Sequence, residues 1–528
     1  MLRNIFIAFA FTTALYAQQE KDSVSDFSCI NVISIKPQPL SHFFQQQYAS
    51  YLHSPIFLKE ALIGNFTTSS LFYNHERGDF HLAQSPEKAH DFGLNTRGLY
   101  KHKQYTFFGD LEVRRTYEDG KRWNISYNNV DENGLLDDPH YFAVSRPAAW
   151  NNQHYTLGGG VIFPLLSDLW HLQLSTRYNL QESYRTENDP RAKIMRSELL
   201  FNAQTTFRLA PSHRLSLGGE VGYANLQNRI SITNKQTDSP QDYDRYLKWQ
   251  LGYGTLYNRP FDSTKRRNLQ YGVNLAYHYK DNFFAQLSYN LYDTDTYNNN
   301  TLNSDEQDDV LANYARSNYA LHLHYNSVLR AGAQLLLTAD IAQTDGYNRL
   351  TALAGKNYTM QQHYATLSVA LLQQDKQHIS SDAGVALTYR QTEQKDALAS
   401  TESDVAYLMI KPYYSWELPF EKISVVPTFA AGVRIPVRSA LTNANVDYLK
   451  PLLPDDYAAQ TTHLFYDEVV YPDSAYFAAH QYYLQFGTDL RFPVGKGRTL
   501  VVGASSHYTT DLHKKHRYTL NTHLTMQY

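Results

Sequence analysis

The stretch Lys515-His516-Arg517-Tyr518-Thr519-Leu520-Asn521-Thr522-His523-Leu524-Thr525-Met526-Gln527-Tyr528 decides the fold class. In an extended strand, successive side chains point to opposite faces. Tyr518, Leu520, Thr522, Leu524, Met526 and Tyr528 therefore share one face, and Arg517, Thr519, Asn521, His523, Thr525 and Gln527 share the other. An apolar face, a polar face and an aromatic last residue suit a sheet with lipid on one side and water on the other.

The same period of two recurs upstream. Tyr155, Leu157, Gly159, Val161 and Phe163 alternate with polar or small residues. Trp170, Leu172, Leu174, Thr176, Tyr178 and Leu180 oppose His171, Gln173, Ser175, Arg177, Asn179 and Gln181. Tyr319, Leu321, Leu323 and Tyr325 oppose Asn318, His322, His324 and Asn326. Tyr482, Leu484, Phe486, Leu490 and Phe492 oppose Gln481, Gln485, Asp489 and Arg491. One such segment is a weak signal; its repetition is the mark of spanning barrel strands.

The connections give an independent test, because outer-membrane barrels have short periplasmic turns and long outer loops. Short turns fall at 101–103, 167–168, 210–213, 280–282, 329–330, 374–377, 419–422 and 494–497. Long polar connections fall between them, near 118–153, 182–195, 227–267, 294–315, 344–361, 391–402 and 437–477. The segment 246–257 looks like a strand but would break this alternation, so it is assigned to an outer loop. With a first strand near 64–74, the pattern predicts an all-β, antiparallel, up-and-down transmembrane barrel of about 14 to 18 strands, 18 fitting best. Strand 515–528 should then pair with the first strand and close the sheet.

At the amino terminus, Met1-Leu2-Arg3-Asn4, an apolar run over 5–15 and Ala17 read as a secretory signal peptide, residues 1–17. The run falls short of the ~20 residues of a spanning helix, and the mean hydropathy of -0.51 excludes a helical membrane protein. Cys29 is the only cysteine and follows Asp26-Phe27-Ser28, which excludes an internal disulfide and does not suit a lipid-attachment site. The 43 Tyr and 26 Phe suit strands and membrane interfaces. A net charge of -3 gives nucleic-acid binding no electrostatic support. Residues 18–62 form either a periplasmic arm or a small plug, with 63–528 the barrel. That segment is too short for the plug of a TonB-dependent receptor.

Candidate chemistry is sparse, and no catalytic, metal or cofactor site is expected. His322 and His324 share a strand face and His278 could supply a third ligand, but polar residues lining a wet lumen explain all three. Asp293, Asp295, Asp305, Glu306, Asp308 and Asp309 do not have calcium-loop spacing, and they read as solvated loop, as do Asp455, Asp456, Asp467 and Glu468. Ser506 and His507 are adjacent and face opposite ways. Gly158-Gly159-Gly160 lies inside a predicted strand and reads as a bend or a close approach. The polar faces carry Asp110, Glu112, Arg114, Arg177, Glu198, Arg208, Glu220, Asp340, Asp489 and Arg491. Of these, Arg177, Glu198, Glu220, Asp340, Asp489 and Arg491 are the candidate lumen charges, either lining a passage or pairing to stiffen the wall.

Leu62-Ile63-Gly64-Asn65-Phe66, Gly78-Asp79-Phe80, the hairpin from Gly98-Leu99-Tyr100 to Phe108-Gly109, and Arg122-Trp123-Asn124 resemble an uncharacterised outer-membrane barrel family of Gram-negative bacteria. The resemblance covers nearly the whole mature chain and implies an accessory-type barrel serving a TonB-dependent uptake system, without assigned catalytic residues. The closing strand also resembles the carboxy-terminal signal read by the barrel-assembly machinery. Three readings of function follow. They are a pore or transport accessory for a small solute, a surface or assembly barrel with a filled lumen, and a barrel enzyme of lipase or protease type. The expected setting is the cell outer membrane, in contact with its lipid.

Overall fold

A computed structural model describes residues 41–60, 64–126, 139–166, 169–233, 247–258, 263–298, 310–330, 332–375, 378–444, 457–495, 497–511, 513 and 515–528. The signal peptide, residues 18–40, Asp305, Glu306, Asp308, Asp309, Asp455 and Asp456 lie outside them.

Among the described residues, eighteen strands close into one antiparallel barrel. They are Phe66–Gly78 (β1), Lys88–His102 (β2), Tyr105–Lys121 (β3), Ala148–Leu166 (β4), Trp170–Thr186 (β5), Arg191–Ala210 (β6), His213–Ser231 (β7), Ser263–Tyr279 (β8) and Phe283–Asn298 (β9). The others are Val310–Arg330 (β10), Ala333–Leu350 (β11), Gly355–Asp375 (β12), His378–Asp396 (β13), Thr401–Trp416 (β14), Ser424–Asn443 (β15), Gln481–Pro493 (β16), Thr499–Thr510 (β17) and His516–Gln527 (β18). The two-residue strand Leu418–Pro419 extends the pairing of β14 with β15. Each strand pairs with its neighbours in chain order, and β18 returns to β1 from Thr68↔Gln527 to Gly78↔Arg517. Tyr528 completes the seam, its N–H donating to the Thr67 carbonyl at 2.9 Å. Closure leaves no strand edge unpaired, which a span through hydrocarbon requires.

The outer face is apolar. Leu71 and Tyr73 on β1 and Leu520 and Leu524 on β18 are exposed side by side. Tyr100, Tyr105, Tyr414, Phe420 and Tyr528 are exposed around the short-turn end, as an aromatic girdle at a lipid interface would be. Tyr518 lies ten residues before Tyr528. That is roughly 34 Å along a strand and roughly 26 Å along the axis at a tilt of ~40°, the height of an outer-membrane apolar band. The protein is an outer-membrane β-barrel.

Three predicted long loops are corrected. Strands β5 and β6 run on to Thr186 and from Arg191, β11 and β12 to Leu350 and from Gly355, and β13 and β14 to Asp396 and from Thr401. The polar stretches 182–195, 344–361 and 391–402 therefore remain paired as hairpins that project past the lipid band. Polarity on both faces ends lipid contact there without ending the hydrogen-bond ladder. The segment 246–257 does form strands outside the barrel wall. Lys248–Leu251 pairs with Leu256–Asn258 and with His140–Ala143 in a separate three-stranded sheet.

Two helices lie against the inner wall near the short-turn end: His42–His53 (α1) and Ile56–Glu60 (α2). Ser41 caps α1, its Oγ accepting from the Phe44 N–H at 3.1 Å. Phe44, Tyr48, Tyr51, Ile56, Phe57 and Leu58 pack with Phe66, Leu99, Ile162 and Phe284 of the wall, and Phe43 packs with Leu336, Ala370 and Leu372. At the other end, the three-stranded sheet packs Phe142, Trp249 and Leu251 onto Trp150, Ile194, Leu226 and Leu350 of the upper wall. Helices Tyr457–Phe465 (α3) and Tyr471–Ala478 (α4), joined by a π-helical turn Tyr466–Val470, cover that sheet. Phe465, Tyr466, Val469 and Val470 meet Trp123, Tyr141 and Ala143 there.

Candidate functional site

Between these two sets of packed elements the lumen holds a chamber of about 510 Å³. Tyr48, Leu52 and His53 of α1 form its floor, and its walls come from β2 to β9. The lining is rich in amides, with Asn95, Asn202, Gln204, Asn274, Gln286 and Asn290, and carries Arg97, Asp110, Arg177 and Glu220. Amide side chains offer a donor and an acceptor on one planar group, so the chamber can bind polar solutes with little net charge.

The wall makes this surface by a repeated device. Asp110 on β3 and Arg177 on β5 both register with Gly158 on the strand between them. Their ion pair, 3.1 Å long, crosses over that glycine. A Cβ at position 158 would stand 2.6 Å from Asp110 Oδ1. Asp489 on β16 and His523 on β18 approach to 3.5 Å across Gly503 in the same way. Gly158 thus gives close approach, as its sequence context predicts.

The six candidate charges separate into groups. Arg177 and Glu220 face the chamber, and Glu220 accepts from Gln270 Nε2 at 2.5 Å. Glu198 accepts from Asn179 Nδ2 at 3.0 Å and pairs with Arg196 at 3.2 Å. Asp340 meets His322 at 2.5 Å. Asp489 and Arg491 border a small cavity of about 50 Å³ with Ser41, His42 and Asp382, and Arg491 lies 3.7 Å from Glu417. Pairing within the wall accounts for most of them.

Residues that sequence reasoning passed over tie α1 in place. The Asp382 carboxylate accepts from the Phe43 N–H at 2.9 Å and from the Tyr413 hydroxyl at 3.0 Å, a favourable place for an anion at a helix start. At the other end, Ser50 Oγ is 2.7 Å from both His322 Nε2 and His324 Nδ1. Ser54 Oγ is 3.2 Å from His278 Nε2. The three histidines do share one environment, but serines of α1 and the following turn occupy it. Lys59 of α2 reaches His171 on β5. Burial pushes the Tyr51 phenol up to about 12, so it stays neutral.

Ser505, His507 and Asn521 also meet on the inner wall. Ser505 Oγ and Asn521 Nδ2 both address His507 Nε2, at 3.4 and 2.9 Å. A serine–histidine relay instead takes the hydroxyl at one ring nitrogen and is oriented through the other.

At the outer end, Glu468 accepts from Trp123 Nε1 at 2.9 Å and from Arg122 at 3.2 Å. Asp467 pairs with His463 at 3.0 Å. Asp473 accepts from the Ala83 N–H at 2.8 Å beside a small cavity lined by Leu82, Tyr141, Tyr253 and Phe477. Burial pushes its carboxyl up to about 7. A raised acid is penalised in its charged form, so docking of α4 should weaken as pH rises from about 4 towards 7, where the docked carboxyl ionises. Limited proteolysis within 457–478 should accordingly be slower at pH 6 than at pH 8, and Asp473→Asn should abolish the difference. An unchanged pH dependence in that variant would assign the effect elsewhere.

The chain belongs to a family of unknown function (DUF6850), whose sequence profile matches residues 55–528. No curated protein matched it in sequence. Among solved structures it is similar to the siderophore receptor PiuA from Acinetobacter baumannii, with a TM-score of 0.39 at 9% identity over 88% of this chain and 82% of that one. It is similar to the outer membrane transporter YddB from Escherichia coli, with a TM-score of 0.36 at 9% identity over 88% and 81%. It is also similar to Pseudomonas aeruginosa OccK2 in complex with glucuronate, with a TM-score of 0.33 at 11% identity over 88% and 97%.

Proposed function

We propose that this member of a family without an assigned function is a gated outer-membrane conduit for a small polar solute. On this reading the lumen chamber holds the solute in transit, and α1 and α2 are a small plug that must shift for it to leave. The observation that carries the reading is the chamber itself: about 510 Å³ of space in the lumen beside the inner helices, with amide and charged side chains along its wall. A wall meant only to be rigid would gain more by filling that space with packed side chains. An accessory role beside a TonB-dependent uptake system is what the resemblance of the barrel motifs implies, and it is part of the same proposal. The closing strand fits recognition by the barrel-assembly machinery. An enzymatic role finds no support in the Ser505–His507–Asn521 arrangement.

The coverage at both ends favours one second reading, a non-transporting surface or assembly barrel. Liposome swelling separates the two. Vesicles carrying a variant that lacks residues 41–60 should swell in isotonic solutions of small polyols and resist larger oligosaccharides, while the intact protein swells them slowly. A folded deletion variant that admits no solute would favour the second reading.

A further inference from the structure

We propose that His53, His322 and Asp340 form a binding site for a divalent first-row transition metal, zinc being the reference ion, which ties the end of α1 to the barrel wall. The three residues come from separate elements: the last residue of α1, the middle of β10 and the middle of β11. Each offers one ligand atom, and these atoms all lie within 4.8 Å of one another. His322 and Asp340 are directly opposed in the strand register, and His322 Nδ1 stands 2.5 Å from Asp340 Oδ1. The His53 ring stacks on that of His322 with centroids 4.1 Å apart and planes 16° from parallel.

Two imidazoles and one carboxylate are a borderline-soft donor set that suits zinc and its first-row neighbours rather than calcium or magnesium. Three protein ligands also leave positions for water. His53 lines the chamber, and 40% of the Asp340 side chain is exposed, so an ion has both an entry path and room for its waters.

The surroundings orient the central ligand. With Nδ1 of His322 turned to the metal, its Nε2–H donates to Ser50 Oγ, 2.7 Å away. The Ser50 hydroxyl then donates to Nδ1 of His324, also 2.7 Å away. Such a fixed outer contact selects the ring tautomer that leaves the ligating nitrogen free, as is usual for metal-bound histidine. The grouping differs from the set that strand spacing suggests, because His324 and His278 are engaged by Ser50 and Ser54 and His53 takes their place.

Isothermal titration of zinc chloride into chelator-treated, detergent-solubilised full-length protein tests the site. One zinc per chain should bind. His53→Ala and Asp340→Asn should each weaken binding at least tenfold, with barrel folding verified by heat-modifiable gel mobility. His463→Ala, which removes the exposed histidine paired with Asp467, should leave the tight site unchanged. Zinc should also slow deuterium uptake across 42–60 in the wild type and not in His53→Ala. Absence of stoichiometric binding, or binding that persists in both folded site variants, would overturn the proposal.

Discussion

A Phe57→Asp variant should convert an electrically quiet barrel into one that shows discrete single-channel openings in planar bilayers. Phe57 has no exposed surface and sits between Tyr51, Phe284 and His278, at ring separations of 5.4, 4.8 and 5.2 Å. Truncating a buried phenylalanine costs about 3–5 kcal/mol through lost burial and the cavity left behind. An ionised carboxylate without a partner in that cluster costs more still. The helix pair can avoid this cost by leaving its seat, because the barrel wall is held by its own continuous ladder. Phe57→Leu keeps an apolar side chain there and should stay quiet. Openings in neither variant, with the barrel folded, would mean that α1 and α2 do not close the passage.

The second large effect is expected at the outer end. Arg434→Ala should increase proteolytic nicking within 457–478 by roughly 100-fold. Arg434 is 3% exposed, and its guanidinium lies 4.9, 5.0 and 5.3 Å from the rings of Tyr407, Tyr476 and Phe477. Its Nη2 also donates to the Tyr476 carbonyl at 2.9 Å. Desolvated cation–π contacts contribute about 0.5–2 kcal/mol each, and a charge-assisted hydrogen bond about 1.5–3 kcal/mol. A net loss of about 3 kcal/mol is a hundredfold change in the open population that a protease samples. Arg434→Lys should fall between the two, since lysine keeps the charge but not the flat stacking surface. An Arg434→Ala variant nicked no faster than wild type would show that α4 is held by its apolar contacts alone.

The barrel was legible because its two solvents impose a strict alternation that survives in a single sequence. The closing strand predicted over 515–528 spans His516–Gln527 and pairs with β1, as expected, with Tyr528 completing the seam. The best-fitting number of strands and the placing of 246–257 outside the wall agree with the structure. The length of the hairpins was not legible, since a polar strand above the lipid band and a polar loop have the same composition. Nor was the seat of the inner helices. Phe43, Phe44, Phe57 and Leu58 mark the segment as apolar, but its partners lie on strands from Phe66 to Tyr413.

Side-chain partnerships depend on register, which is weakest to read where strands are irregular. His322 meets Asp340 only because β10 and β11 pair as they do past the shift between Val328 and Arg330. Arg177 meets Asp110 only because Gly158 separates them. Candidate residues could therefore be placed on the inner face from sequence, but not matched with one another. Ser50 and Ser54 are one helical turn apart, a spacing that would have signalled a shared face had the helix been assigned first.

The most direct test of the account is deuterium uptake by residues 41–60 of the intact wild-type protein in lipid nanodiscs. If α1 and α2 are seated against the inner wall, amides over 45–53 should exchange over minutes to hours, as slowly as neighbouring barrel strands. Complete exchange of that segment within seconds, while the strands stay protected, would contradict it.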